Sequence, residues 1–333
     1  MPADAPQQFR LASEIKVWTL LHAAIALLPF VVLALATGNA IWMKASLLAI
    51  GAVIAEDKLA LRPPGVIAYG LAVIAGTYLL LLAELVPAFF VIACMTLAAG
   101  VILFASRGKK LRALGNWTFL PVLILANELH GGRTVDALLR ETPAYLPYLL
   151  VALVPSVISA TIRSRGKPAA RWSNLDDFGP RAPFGEDLAA MLAGVGIAAM
   201  MVVYWHMDRA QWVIWGAASI VTGTVDTARV KLKHRAFGVM TGVPLGMLLG
   251  RYVVPHSSIA VTLATLAVFL TLVAFQRYVV GYFMRCVFVT LAIMLANQST
   301  ADAFERITHV LAGGVIGIVC VLGVHAAASR LSR

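Results

Sequence analysis

From residue 17 to residue 328 the chain is a succession of apolar runs, each 15 to 23 residues long, separated by short polar segments. A helix needs about 20 apolar residues to cross a bilayer core. Inside lipid every backbone N–H and C=O must find a partner within the protein, so only helices and closed barrels remain open to such a chain. Barrel strands alternate apolar and polar residues over about ten positions, and these runs do not alternate. Residues are 60% hydrophobic and 13% charged, against about 45–50% and about 25% in a soluble domain. The expected fold is therefore all-α, a polytopic membrane protein.

The runs fall at 17–36, 41–55, 65–85, 86–105, 115–129 and 143–162. After a polar linker at 163–186 they resume at 187–205, 211–225, 236–254, 258–275, 281–297 and 306–328. This predicts twelve transmembrane helices in two sets of six, and the two sets are related. Trp42 and Ser46 recur as Trp215 and Ser219, and Gly65 recurs as Gly238, all at an offset of 173. LANELHGGRTVDALLR at 125–140 recurs as LANQSTADAFER at 295–306 once four residues are removed. Two parallel six-helix repeats, 1–162 and 187–333, are expected around a linker. The second and fifth runs of each half are short, and Pro121 interrupts one of them. Paired short segments mark the expected transport site. With the N-terminus cytoplasmic, 21 of the 27 Lys and Arg lie in cytoplasmic segments. That positive-inside bias predicts both termini in the cytoplasm.

Several function classes are excluded or disfavoured. Cys94, Cys286 and Cys320 lie in apolar runs without metal-ligand spacing, as small buried hydrophobes do. No dinucleotide fingerprint, phosphate loop or HExxH motif occurs, so no cofactor is expected, and neither is an enzyme. The net charge of +11 suits basic cytoplasmic loops better than a nucleic-acid partner.

The candidate binding residues are cationic, amide and aromatic. Lys44, three residues into a short run, either contacts an anion at the outer mouth or snorkels to the interface. Asp136/Arg140 and Asp302/Arg306 are spaced to pair within a helix; the alternative is a ring of arginines at the outer mouth. Asn127 and Asn297 either cap their helices or meet a carboxylate. Arg235 opens RAFGVMTGVPLGMLLG, close to Asp226, as a structural ion pair or an inner anion gate. Gly238, Gly242, Gly246 and Gly250 form one smooth face that admits a neighbouring helix, and Pro244 is expected to kink it. Arg285 either snorkels to the inner interface or faces a pore. Trp42, Trp212 and Trp215 are interface anchors or the walls of an aromatic pocket. Proton coupling has little support, because Glu56, Asp57 and Asp226 sit at inner ends. His309 and His325 in the last run could titrate near neutral pH, although packing accounts for them as well.

W-x3-S, the basic segment after it and R-x2-G-x3-G-x3-G resemble the fusaric acid resistance family, which includes aromatic carboxylic acid efflux pumps. The family is distantly similar to the aluminium-activated malate transporters. The resemblance is clearest over 212–250 and 285–328. It implies an exporter of weak organic acids, aromatic carboxylates in particular, moving small organic anions between two repeats embedded in membrane lipids. It also implies a periplasmic membrane-fusion protein as partner. The chain would work as a pseudo-dimeric monomer or as a homo-oligomer. A passive anion channel and a non-transporting scaffold subunit share the same architecture. One departure is that the larger pumps carry sizeable cytoplasmic domains, whereas 163–186 is only a short linker.

Overall fold

The computed structural model describes residues 14–131, 137, 140–166, 171–175, 177–179, 181, 184–209, 211–221, 224–296 and 300–331. The helices before the linker are α1 (Val17–Thr37), α2 (Ile41–Leu59), α3 (Pro63–Ala83), α4 (Pro87–Arg107), α5 (Leu111–His130) and α6 (Thr142–Ser164). After it come α7 (Gly185–Tyr204), α8 (Gln211–Ile220), α9 (Val225–Val253), α10 (Ser258–Leu270), α11 (Tyr278–Leu295) and α12 (Thr300–Leu331). There is no β-strand among the described residues, only two isolated bridges.

Eight of these helices, α1, α3, α4, α6, α7, α9, α11 and α12, are long and apolar enough to cross a membrane, as a multi-pass membrane protein requires. The other four fall short for different reasons. α2 carries Lys44, Glu56, Asp57 and Lys58, and α5 carries Arg112, Asn116, Asn127 and Glu128. α8 and α10 have only 10 and 13 residues.

The expected short elements are therefore partly corrected. The second and fifth helices of the first half have 19 and 20 residues, and the fifth of the second half has 18. Only α8, among those expected to be short, is short, and α10 joins it. Pro121 and Pro244 lie inside continuous helices. The break falls instead in α6, where a 3-10 turn and two short helices, Leu146–Val151 and Val154–Ser164, follow one another. Pro143, Pro147 and Pro155 each stand near the start of one of these three pieces. A proline has no N–H to give, and early positions need none. The basic stretch before Arg235, expected as a loop, forms the first turns of α9.

Several contacts recur in the two halves, although α2 on α5 and α7 on α12 have no counterpart. α1 packs on α2, α3 and α4 both pack on α5, and α6 packs on α2 and α3. After the linker α7 packs on α8, α9 and α10 both pack on α11, and α12 packs on α8 and α9. The contacts between halves are reciprocal. The fourth helix of each half meets the first helix of the other, α4 against α7 and α10 against α1. The segment before α1 clips onto the loop after α10, through Lys16 N–H to Ala274 O at 2.8 Å and Gln276 N–H to Glu14 O at 2.9 Å. The segment before α7 clips onto the loop after α4, through Lys110 N–H to Phe178 O at 3.0 Å. One buried apolar cluster runs through both halves.

Glycines let α9 approach α11 closely. A Cβ on Gly238 would stand 2.5 Å from the Tyr282 ring, and one on Gly242 would stand 2.8 Å from the Cys286 Cβ and from the Phe283 carbonyl oxygen. One on Gly250 would stand 2.5 Å from the Met294 Cβ. The four-residue spacing keeps this seam on one face of α9, and the seam places Arg235 beside Tyr282.

Candidate functional site

α8 is a ten-residue helix whose C-terminal carbonyls have no intrahelical partners. Two cations from α9 reach its C-terminal half, Lys231 at one of these carbonyls and Arg235 one turn further in. Lys231 Nζ donates to Ser219 O at 3.4 Å, and the Arg235 guanidinium donates to Trp215 O at 3.4 Å and to the Ser219 hydroxyl. Positive charge at a helix C-terminus is favourable, so the short helix and the basic start of α9 fit each other. Arg235 does not pair with Asp226, which bonds Arg229 at 3.9 Å one turn away.

Arg235 also lies over the Tyr282 ring, with Cζ 5.2 Å from the centroid. Tyr282 is the centre of a larger cluster. Arg285, one turn along α11, and Arg306, on α12, both lie within electrostatic reach of it. Arg285 is half-buried and donates to Thr271 O at 3.4 Å. Arg306 is 5% exposed and stacks over Trp212, with Cζ 4.8 Å from the ring centroid.

The expected Asp302–Arg306 pair does not form. Asp302 binds Arg209 at 3.1 Å, Arg209 also lies 5.3 Å from the Trp212 ring centroid, and Arg306 turns inward. His309 completes the group, 6.4 Å from Trp212. Among the described residues none of Arg235, Arg285 and Arg306 has a carboxylate partner. Their Nε atoms and the Tyr282 hydroxyl are buried without a hydrogen-bond partner among the described residues.

Buried cations without counter-charge are costly, several kcal/mol each even after relaxation. Guanidinium groups converging with unsatisfied N–H donors and flanked by Trp and Tyr faces form an environment that a carboxylate would complete.

The remaining candidates sit elsewhere. Lys44 donates to Glu128 O at 2.5 Å at the C-terminal end of α5 and lies 4.0 Å from the Glu128 carboxylate. Asn127 is half-buried in the same turn, where its carbonyl accepts from Gly131 N–H. Trp42 packs edge-on against Tyr148 with centroids 4.6 Å apart. Trp215 meets Phe119 of α5 at 6.2 Å, across the contact between halves. Arg140 is exposed, and its expected partner Asp136 and the candidate Asn297 lie outside the described residues. Tyr282 was not singled out from the sequence. Its signal was Tyr282-x2-Arg285, two polar groups on one face of an apolar helix.

A bundle with eight helices long and apolar enough to cross a bilayer is that of a multi-pass membrane protein. Residues 197–320 match the family model described as fusaric acid resistance protein-like. The match contains α8 to α11, most of α12 and all three arginines. It bears out the family resemblance read from 212–250 and most of that from 285–328. No match was found among curated proteins or among solved structures.

Proposed function

We propose that this protein exports weak organic acids, in particular aromatic carboxylates, and that Arg235, Arg285 and Arg306 hold the anion around Tyr282. The observation that carries this reading is the interior cluster of three arginines without an acidic partner. The Trp212 and Tyr282 rings beside these guanidiniums supply the faces an aromatic acid would stack on. The reciprocal packing of the halves supports two parallel six-helix repeats that rock about a shared axis. In this reading the protein sits in a bacterial inner membrane with both termini cytoplasmic, and it passes its substrate to a periplasmic membrane-fusion partner.

The test is flux from proteoliposomes loaded with aromatic and aliphatic carboxylates, with and without an imposed pH gradient. Gradient-dependent efflux of an aromatic acid, lost in Arg235→Gln/Arg306→Gln, is expected. Gradient-independent current would replace the exporter with a passive anion channel. Absence of flux and of anion binding in a folded preparation would refute the reading.

A further inference from the structure

We infer that the foot of the groove between α3 and α6 binds the phosphate headgroup of an anionic phospholipid. A cleft of about 290 Å³ opens there, lined by Arg62, Pro63 and Pro64 at the start of α3 and by Thr161, Ser164 and Arg165 at the end of α6. The Ser164 hydroxyl is buried and has no hydrogen-bond partner among the described residues. Arg165 is exposed and forms no ion pair among the described residues. The nearest acids on α2, Glu56 and Asp57, are engaged by Arg163 at 3.5 and 3.4 Å.

The surface leading away from this cleft is apolar. Ile158 and Ile162 share a helical face with Thr161 and Arg165 and are 55% and 59% exposed. Across the groove Ile67 and Leu71 follow Pro64 at helical spacing and are 43% and 49% exposed. A basic, hydroxyl-bearing foot under two apolar walls is complementary to a molecule with an anionic head and hydrocarbon tails. The cleft lies at the end of the bundle that carries the basic loops, where basic pockets between helices recognise such heads. The walls favour a lipid over a free phosphate, which would use only the foot.

The test is native mass spectrometry of the purified full chain in detergent, titrated with phosphatidylglycerol or phosphatidylcholine. The first phosphatidylglycerol should bind roughly tenfold more tightly than phosphatidylcholine, as expected for two cations near one headgroup. Arg165→Gln and Ser164→Ala should each erode that preference severalfold, and Arg62→Gln/Arg165→Gln should abolish it. Excess inorganic phosphate should not displace the lipid. Equal binding of the two lipids would overturn the inference, as would an unchanged preference in Arg165→Gln with wild-type thermal stability. Displacement by inorganic phosphate would assign the cleft to a soluble anion instead. If the double variant does not fold, the two single variants decide the outcome.

Discussion

Replacing Arg306 with methionine should make the protein more stable and its anion binding weaker. The guanidinium is 5% exposed, its Nε has no partner, and no carboxylate among the described residues neutralises it. Its main compensation in the empty protein is the Trp212 face at 4.8 Å, which returns about 2 kcal/mol when desolvated. Burying the charge costs several kcal/mol. Methionine keeps the apolar stem against the indole and removes that cost, so a gain of about 1–4 kcal/mol is expected. An anion held by Arg306 would lose a charge-assisted hydrogen bond worth about 1.5–3 kcal/mol, or about 10- to 150-fold in Kd. Differential scanning fluorimetry of the detergent-solubilised protein reads the first effect, and calorimetric titration with benzoate reads the second. Arg209→Met is the control. It removes the partner of Asp302 at 3.1 Å and should gain no stability. A lower melting temperature for Arg306→Met, or unchanged benzoate affinity, would refute the reasoning.

Two further outcomes concern the scaffold. Gly242→Ala should destabilise by about 1–3 kcal/mol, because its Cβ would stand 2.8 Å from α11. Gly100→Ala, with nothing within 4 Å of the new methyl, should stabilise by about 0.5–1 kcal/mol; thermal melts of the two variants check this. Glu84, in the loop after α3, is pushed up to about 8 by burial and lies 2.8 Å from His130 Nδ1. The folded protein then keeps a proton that the unfolded chain releases, so stability should fall as pH rises from about 4.5 to about 8. Glu84→Gln should flatten that slope in melts taken across the same range.

The apolar runs gave most helices to within a few residues: α1 was expected at 17–36 and found at Val17–Thr37. Run length depends only on what lipid excludes, so it reads well from sequence. The glycine seam of α9 was legible for a similar reason, since spacing by four fixes a face. What spacing could not show was the choice among partners. Asp302 and Arg306 are placed to pair, yet each has a better partner across a tertiary contact, Arg209 for one and Trp212 for the other. α10 stops at Leu270, short of the expected 275, because the residues after it turn to bond Glu14 and Lys16. That contact joins segments some 260 residues apart, and no local pattern encodes it.

The positions that the sequence offsets pair do not carry the same site in the two halves, and this asymmetry is itself testable. The offset of 173 that pairs Gly65 with Gly238 also pairs Arg62 with Arg235. In the second half the space at Gly238 is filled by the Tyr282 ring, which brings the phenol under Arg235. In the first half the space at Gly65 is filled by the carbonyl of Trp172 from the linker, which also accepts from Arg62 N–H at 3.0 Å. The offset of 170 relating the LAN segments pairs Tyr282 with Arg112, and Arg112 is bound to Asp187 at 3.1 Å. The first half thus uses these positions to anchor the linker and α7, and the second half uses them to gather unneutralised cations. Arg235→Gln should therefore lower the initial rate of anion flux about tenfold or more, the loss expected of one charged hydrogen bond. Arg62→Gln should leave the rate within about twofold, since the hydrogen bond it makes to Trp172 comes from the backbone and survives the change. Equal losses in the two variants would mean that anions pass through both halves.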